Sequence, residues 1–294
     1  MPTPTQKPKS KLASLSSSTA RVLTAVVALP VLIASIVFQQ LTILFVVLAT
    51  AVMIVALAEF WLLAGKRGIK ADFAAGYLAA VALLAVFSFT EKRSFPDLFM
   101  IEVILIVLTM GTLTAAMFRG APFEKMIASV GTTLLGVMYV ALLGGHLVAT
   151  RVGFAHPLSM HLLSFFFLVL MGGDTAAYYV GRAFGKHKLA PKVSPGKTWE
   201  GAVGAMAASL LLAALAHFWF FPELPLKWAL PLAAVMNVLG VLGDLAESAL
   251  KRSADAKDAA SFLPGHGGFL DRLDSLLFNA PLIYYFARLY FRQW

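Results

Sequence analysis

The chain is written in long apolar runs separated by polar breaks. Nine such runs occur, at about 22–38, 41–64, 73–89, 98–118, 127–149, 158–181, 201–221, 228–250 and 273–291. Each approaches the roughly 20 residues that a helix needs to cross a bilayer. The third is short and the eighth ends in charged residues. The runs are continuous, whereas a membrane β-barrel would show short alternating segments. In lipid, backbone groups must be satisfied within each segment, so the runs predict helices. The expected fold is all-α, a polytopic helical membrane bundle of about nine spans.

The breaks divide the chain unevenly. Those at 39–40, 65–72, 90–97, 119–126 and 150–157 are short, and the two long polar connections are Arg182–Glu200 and Lys251–Arg272. No inverted repeat of the kind found in many transporters is visible. The expected organisation is a Pro/Ser/Lys-rich disordered tail (1–20), five N-terminal spans (21–157) and a catalytic C-terminal half of four spans (158–294). No small-residue cleavage site follows Phe38, so the first run reads as an uncleaved helix. The small side chains of Gly201–Leu215 would let neighbouring helices approach closely.

Composition supports this frame. Hydrophobic residues make up 60% of the chain and charged ones 13%, with mean hydropathy +0.81. The net charge of +9 is largely a matter of topology. With the N-terminus in the cytoplasm, 18 of the 24 Lys and Arg fall in inside segments, the bias of the positive-inside rule. That placement argues against nucleic acid as a partner. The absence of cysteine removes disulfides, thiolate catalysis and Cys-ligated metal sites.

Four polar constellations break the apolar background, and each admits a structural reading beside a chemical one. In Gly243–Arg252, Asp244, Glu247, Ser248 and Lys251 share one helix face. Two carboxylates a turn apart can hold a hard cation, or Glu247 simply pairs with Lys251. In Leu263–Asp274, Pro264-Gly265 makes a turn, and Gly267 and Gly268 let backbone N–H groups approach an anion. Asp271 and Asp274 then open the last span, where carboxylates suit a helix N-terminus; His266 taken alone reads as an ordinary loop histidine. In Val193–Gly201, Ser194-Pro195-Gly196 is a turn that leads to Lys197 and Thr198. That is either an anion site at a helix N-terminus or a cap with a snorkelling lysine. In Gly172–Lys186, Asp174, Tyr178, Arg182 and Lys186 recur at i+4 steps, with Asp174 either in a structural ion pair or in the chemistry. Glu59, Glu102, His146, His161 and His217, inside spans, read as packing or interface residues.

The stretch Ser248–Asp274 resembles the signature of the phosphatidate cytidylyltransferase (CDP-diacylglycerol synthase) family. The fixed positions are Ser248, Lys251, Arg252, Lys257, Asp258, Pro264, His266, Gly267, Gly268, Asp271, Arg272 and Asp274. The segments SPGKTWEG and D-x-x-A-Y-x-x-G-R-x-F-G, from Asp174, are similar to that family's upstream elements, while the first 160 residues match in hydropathy alone. The resemblance implies transfer of CMP from CTP to phosphatidate, giving CDP-diacylglycerol and pyrophosphate, in a homodimer at the cytoplasmic face of a bacterial inner membrane. It implies that Asp244, Asp271, Lys251, Arg272 and His266 carry the reaction. Asp244, Glu247, Asp271 and Asp274 would hold Mg²⁺, with a monovalent cation such as K⁺ as a possible second ion. Ser194, Lys197, Thr198, Arg252, Lys257, Asp258, Gly267, Gly268 and Asp174 would contact the substrates. A transporter is the rival expectation from another class, and would carry its ionisable groups near midplane. A CDP-alcohol phosphotransferase would show its own spaced acid pairs, which are not found, and a scaffold would not need the His-Gly-Gly and Asp-Arg elements.

Overall fold

The computed structural model describes residues 17–90, 97–119, 123–256 and 268–291. Every apolar run coincides with helix. The elements are α1 (Ser17–Val37), α2 (Thr42–Gly65), α3 (Phe73–Ser88), α4 (Leu98–Phe118), α5 (Met126–Gly136), α6 (Leu143–Val152), α7 (Leu158–Phe184), α8 (Trp199–Trp219), α9 (Leu226–Ser253) and α10 (Leu270–Tyr290). The last four residues of the basic tail belong to the first turn of α1, and the rest of it lies outside the described residues. The run expected as one span at 127–149 is a continuous rod of α5, a π-helical turn over Val137–Leu142, and α6.

Six helices among the described residues are long and apolar enough to cross a membrane: Gln39–Gly65, Leu98–Phe118, Phe123–Val152, Leu158–Phe184, Trp199–Trp219 and Leu226–Ser253. Ala28–Val37 and Phe73–Ser88 are shorter apolar helices, and α10 opens with Asp271, Arg272 and Asp274. Side chains mark the helix starts. Asp72 accepts the Ala75 N–H at 3.1 Å and Asp97 the Met100 N–H at 3.1 Å, each satisfying a donor that the first turn leaves free. Prolines inside α1, α9 and α10 are tolerated as in other membrane helices.

One part of the chain departs from the all-helical expectation. Residues Lys188–Ala190 (β1) and Ser194–Thr198 (β2) pair as an antiparallel hairpin, with Lys188 opposite Thr198 and Ala190 opposite Ser194. Ser194-Pro195-Gly196 is therefore strand, not the expected turn, and the reversal lies at Pro191–Val193. The reason is pairing at both ends of the ribbon. The Val193 N–H closes on Ala190 O at 3.2 Å and the Trp199 N–H reaches His187 O at 2.9 Å. A proline is acceptable in β2 because a two-stranded ribbon is all edge.

One large hydrophobic cluster joins side chains from Ile36 to Phe291. Its largest fully buried members include Trp61, Phe87, Phe165, Phe166, Phe221 and Tyr284. α7 packs along α8, α9 lies against α8 and α10, and α10 also packs on α6. α4 buries only Leu108 and Thr112, as expected of a helix that faces lipid. The C-terminal ends of α2, α7 and α9 meet the N-terminal ends of α8 and α10, which brings the polar constellations together. At the other end of α7, buried Arg151 donates to Ser35 O (3.2 Å), Phe38 O (2.9 Å) and Ser159 Oγ (3.2 Å), so its charge is used structurally.

Candidate active site

The polar ends of α7, β2, α9 and α10 line one cavity of about 980 Å³. Its charged wall is made by Asp174, Arg182, Lys197, Asp244, Asp271, Arg272 and Asp274, with Ser194, Thr198, Asn237 and Ser275 beside them. The same cavity continues over an apolar wall that includes Leu32, Phe45, Leu48, Val52, Met53, Leu147, Phe167 and Met171. One hollow thus offers charge at one end and hydrocarbon at the other.

Each charged group arrives by a local rule. The helical pitch of α9 sets Asp244, Glu247, Ser248 and Lys251 on one face, and the expected Glu247–Lys251 pair forms at 2.6 Å. Lys251 also reaches Asp271 Oδ1 of α10 at 2.9 Å, so one ammonium serves two carboxylates. Glu247 is fully buried and stands behind the cavity wall, as does Lys251. Asp271 uses its other oxygen to accept the Gly268 N–H at 2.8 Å, which fixes the entry to α10. Asp244 faces Lys197 of β2 at 2.7 Å and accepts from Ser248 Oγ at 3.4 Å. Thr198 caps α8 by accepting the Gly201 N–H at 3.1 Å, so the hairpin delivers Lys197 just before a helix N-terminus.

Asp174, Asp244 and Asp274 lie close enough to feel one another's negative charge, with Lys197 the cation that faces all three. Ser275 ties this group together: its N–H donates to Asp274 Oδ1 at 2.6 Å and its hydroxyl to Asp174 at 3.5 Å. Arg182 donates to the Tyr178 hydroxyl at 3.0 Å, as the i+4 spacing suggests. Arg252 is not among the residues that line the cavity. Its guanidinium donates to Val193 O at 3.3 Å and Ala256 O at 3.4 Å, which staples the hairpin to the end of α9. Lys257, Asp258, His266 and Gly267 lie outside the described residues.

From sequence alone Glu59 reads as a packing or interface residue and Tyr139 is not singled out, and the fold brings both here. Glu59 of α2 is fully buried and holds the start of α10; its signal was a carboxylate on an otherwise apolar run. Tyr139, in the π-helical turn, has a buried hydroxyl near the charges of Asp274, Glu247 and Asp244, and nothing in its sequence neighbourhood marks it.

The carboxylates are hard oxygen donors, which fits Mg²⁺ in kind. Among the described residues, no three His, Asp or Glu side chains are arranged to enclose a metal ion. Lys197 and Lys251 hold the counter-charge positions, so a bound cation would compete with them for the same carboxylates.

Close helix approach is needed here. A Cβ on Gly243 would run into the backbone carbonyl of Asp274. Gly243→Ala should therefore push α9 off α10 and lower stability by about 1–3 kcal/mol through overpacking. Thermal unfolding in detergent measures it, and an unchanged midpoint would contradict the close contact.

The model of the cytidylyltransferase family matches residues 19–290. A protein named phosphatidate cytidylyltransferase from Bacillus subtilis (strain 168) is 38% identical over 164 residues, covering 55% of this chain and 59% of that one. Proteins of the same name from Haemophilus influenzae and Brucella suis biovar 1 are each 44% identical, over 131 and 139 residues. These two alignments cover 43% and 46% of this chain, and 46% and 49% of those relatives. The chain thus spans about half the length of the curated relatives it matches. Since the family match runs from the first helix to the end of the last, taking in every element that lines the cavity, the chain belongs to the cytidylyltransferase family.

Proposed function

We propose that this chain is a phosphatidate cytidylyltransferase, which transfers CMP from CTP to phosphatidate and releases pyrophosphate. The observation that carries this reading is the two-ended cavity: a cluster of Asp, Lys and Arg side chains continuous with an apolar wall. A nucleoside triphosphate suits the first and a diacyl lipid the second.

A phosphate oxygen of phosphatidate attacks the α-phosphorus of CTP, and the bond from that phosphorus to the bridging oxygen of the β-phosphate breaks. Pyrophosphate leaves with the bond electrons. The attacking group has a second pKa of about 6 and is largely ionised at neutral pH, so no strong general base is required. Catalysis of this kind is mostly positioning and neutralisation of charge. Lys197 and Arg272 face the cavity and balance phosphate charge there, while Lys251 holds Asp271 in place from behind. One or two carboxylates from among Asp244, Glu247, Asp271 and Asp274, together with phosphate oxygens of the substrate, would hold Mg²⁺, which would neutralise triphosphate charge; a monovalent cation is the candidate second ion.

The finer topology belongs to the same proposal. The chain would cross a bacterial inner membrane about nine times with its N-terminus and active site toward the cytoplasm, where CTP is. The Lys/Arg bias supports that orientation. The four spans of 158–294 would form the catalytic half of each subunit of a homodimer.

The test is transfer of label. Purified protein given phosphatidate, Mg²⁺ and CTP labelled at the α-phosphate should move label into chloroform-extractable lipid. EDTA should stop the transfer and added Mg²⁺ restore it. Well-folded protein that leaves all label in the aqueous phase would sink the reading and bring the transporter forward.

A further inference from the structure

The start of α10 is held by a residue from the other half of the chain. Glu59 lies one and a half turns before the end of α2, and its side chain has no exposed surface. Both of its oxygens accept backbone N–H groups: Phe269 donates at 3.0 Å and Leu270 at 2.7 Å. Next along the chain, the Gly268 N–H donates to Asp271 at 2.8 Å. Two carboxylates therefore hold three successive N–H groups, two of which, at Phe269 and Leu270, a helix start leaves without intrahelical partners. The fit is close, since a Cβ on Gly268 would meet Glu59 Oε2 at 2.5 Å.

A buried carboxylate is a costly way to fill space, and a leucine would pack at this position without desolvating charge. What an apolar side chain cannot do is hold two N–H groups at once. The residues so fixed, Gly268–Leu270, lead directly into Asp271 and its contact with Lys251. We propose that Glu59 is a positioning residue of the active site. By clamping the first turn of α10, it sets where Asp271 meets Lys251 and the cavity. It touches no reacting atom. The inference rests on reading the cavity as the site of cytidylyl transfer, and it makes α2, outside the C-terminal half, part of what shapes that site.

The experiment compares wild type, Glu59→Gln and Leu57→Ala in lipid nanodiscs. Glutamine keeps the shape but offers a single acceptor oxygen, so one of the two N–H groups loses its partner. Leu57 is a fully buried core residue of the same helix, away from the cavity wall. Its truncation therefore reports plain destabilisation. In Glu59→Gln, hydrogen exchange at Phe269 and Leu270 should accelerate at least about tenfold. The kcat per folded molecule should fall about 10- to 100-fold, the scale expected when a reacting group is misplaced by about an ångström. KM for phosphatidate should stay within about threefold, because the apolar wall is untouched. Leu57→Ala should lower the unfolding midpoint and leave kcat per folded molecule near wild type. The proposal is overturned by unchanged exchange at 269–270, or by kcat in Glu59→Gln that matches Leu57→Ala at equal stability. Wild type that transfers no label would remove the reaction and the positioning role with it. Faster exchange in Glu59→Gln would still show the clamp itself, so the two failures are told apart.

Discussion

Asp271→Asn is expected to reduce label transfer by at least about a hundredfold while the protein stays folded. Asp271 uses both oxygens, one on Lys251 at 2.9 Å and one on the Gly268 N–H at 2.8 Å. Asparagine keeps the shape but has one acceptor oxygen, and its NH₂ group would face either a cation or another donor. The cavity also loses one negative charge from the wall that opposes Lys197 and Arg272. Where catalysis depends on preorganised charge, removing one such group costs about 10²–10³ in rate. Stability should suffer less, because Lys251 keeps Glu247 at 2.6 Å. Initial rates with α-labelled CTP, set beside thermal midpoints, check both halves of the claim. Activity within about threefold of wild type would exclude Asp271 from the site.

The largest stability effect should come from Lys251→Met. Methionine fills similar space but leaves Glu247, fully buried, and Asp271, mostly buried, facing each other without their shared cation. Removing one partner of a buried ion pair costs about 3–5 kcal/mol, because the charge that remains has neither water nor a counter-ion. The lost contact matters less than the stranded carboxylates. A second change should therefore recover part of the loss: Lys251→Met with Glu247→Gln should be more stable than Lys251→Met alone. Label transfer should stay low in both, since Asp271 has lost its partner in each. Midpoints that simply add across the two changes would mean that Lys251 and Glu247 are not coupled within α9.

The two effects differ because the triad Glu247, Lys251 and Asp271 is both a joint and part of a site. It fastens the end of α9 to the start of α10 from behind the cavity wall, while Asp271 alone also faces the cavity. The hairpin works the same way from the other side. Lys197 reaches Asp244 at 2.7 Å, and Arg252 staples the Val193 carbonyl to the end of α9.

How much of this was legible in the sequence depends on the range of each interaction. The apolar runs determined the helices, because in lipid a continuous hydrophobic stretch has few alternatives to helix. The i,i+4 spacings determined the Glu247–Lys251 and Tyr178–Arg182 pairs, and Thr198 announced its own cap. The motif around Asp271 marked where chemistry belongs. Local spacing did not reveal that Ser194-Pro195-Gly196 is strand, since the hairpin depends on pairing with residues upstream. Nor did it show that Asp174 stands beside Asp244 and Asp274, or that Glu59 holds an N–H group 211 positions away. Periodicity reports which residues share a helix face. It does not say which helix that face will meet, and in a chain that is apolar on nearly every side the pattern names no inner face. That choice was made only by packing, where a glycine lets two backbones touch and a buried carboxylate must find its donors.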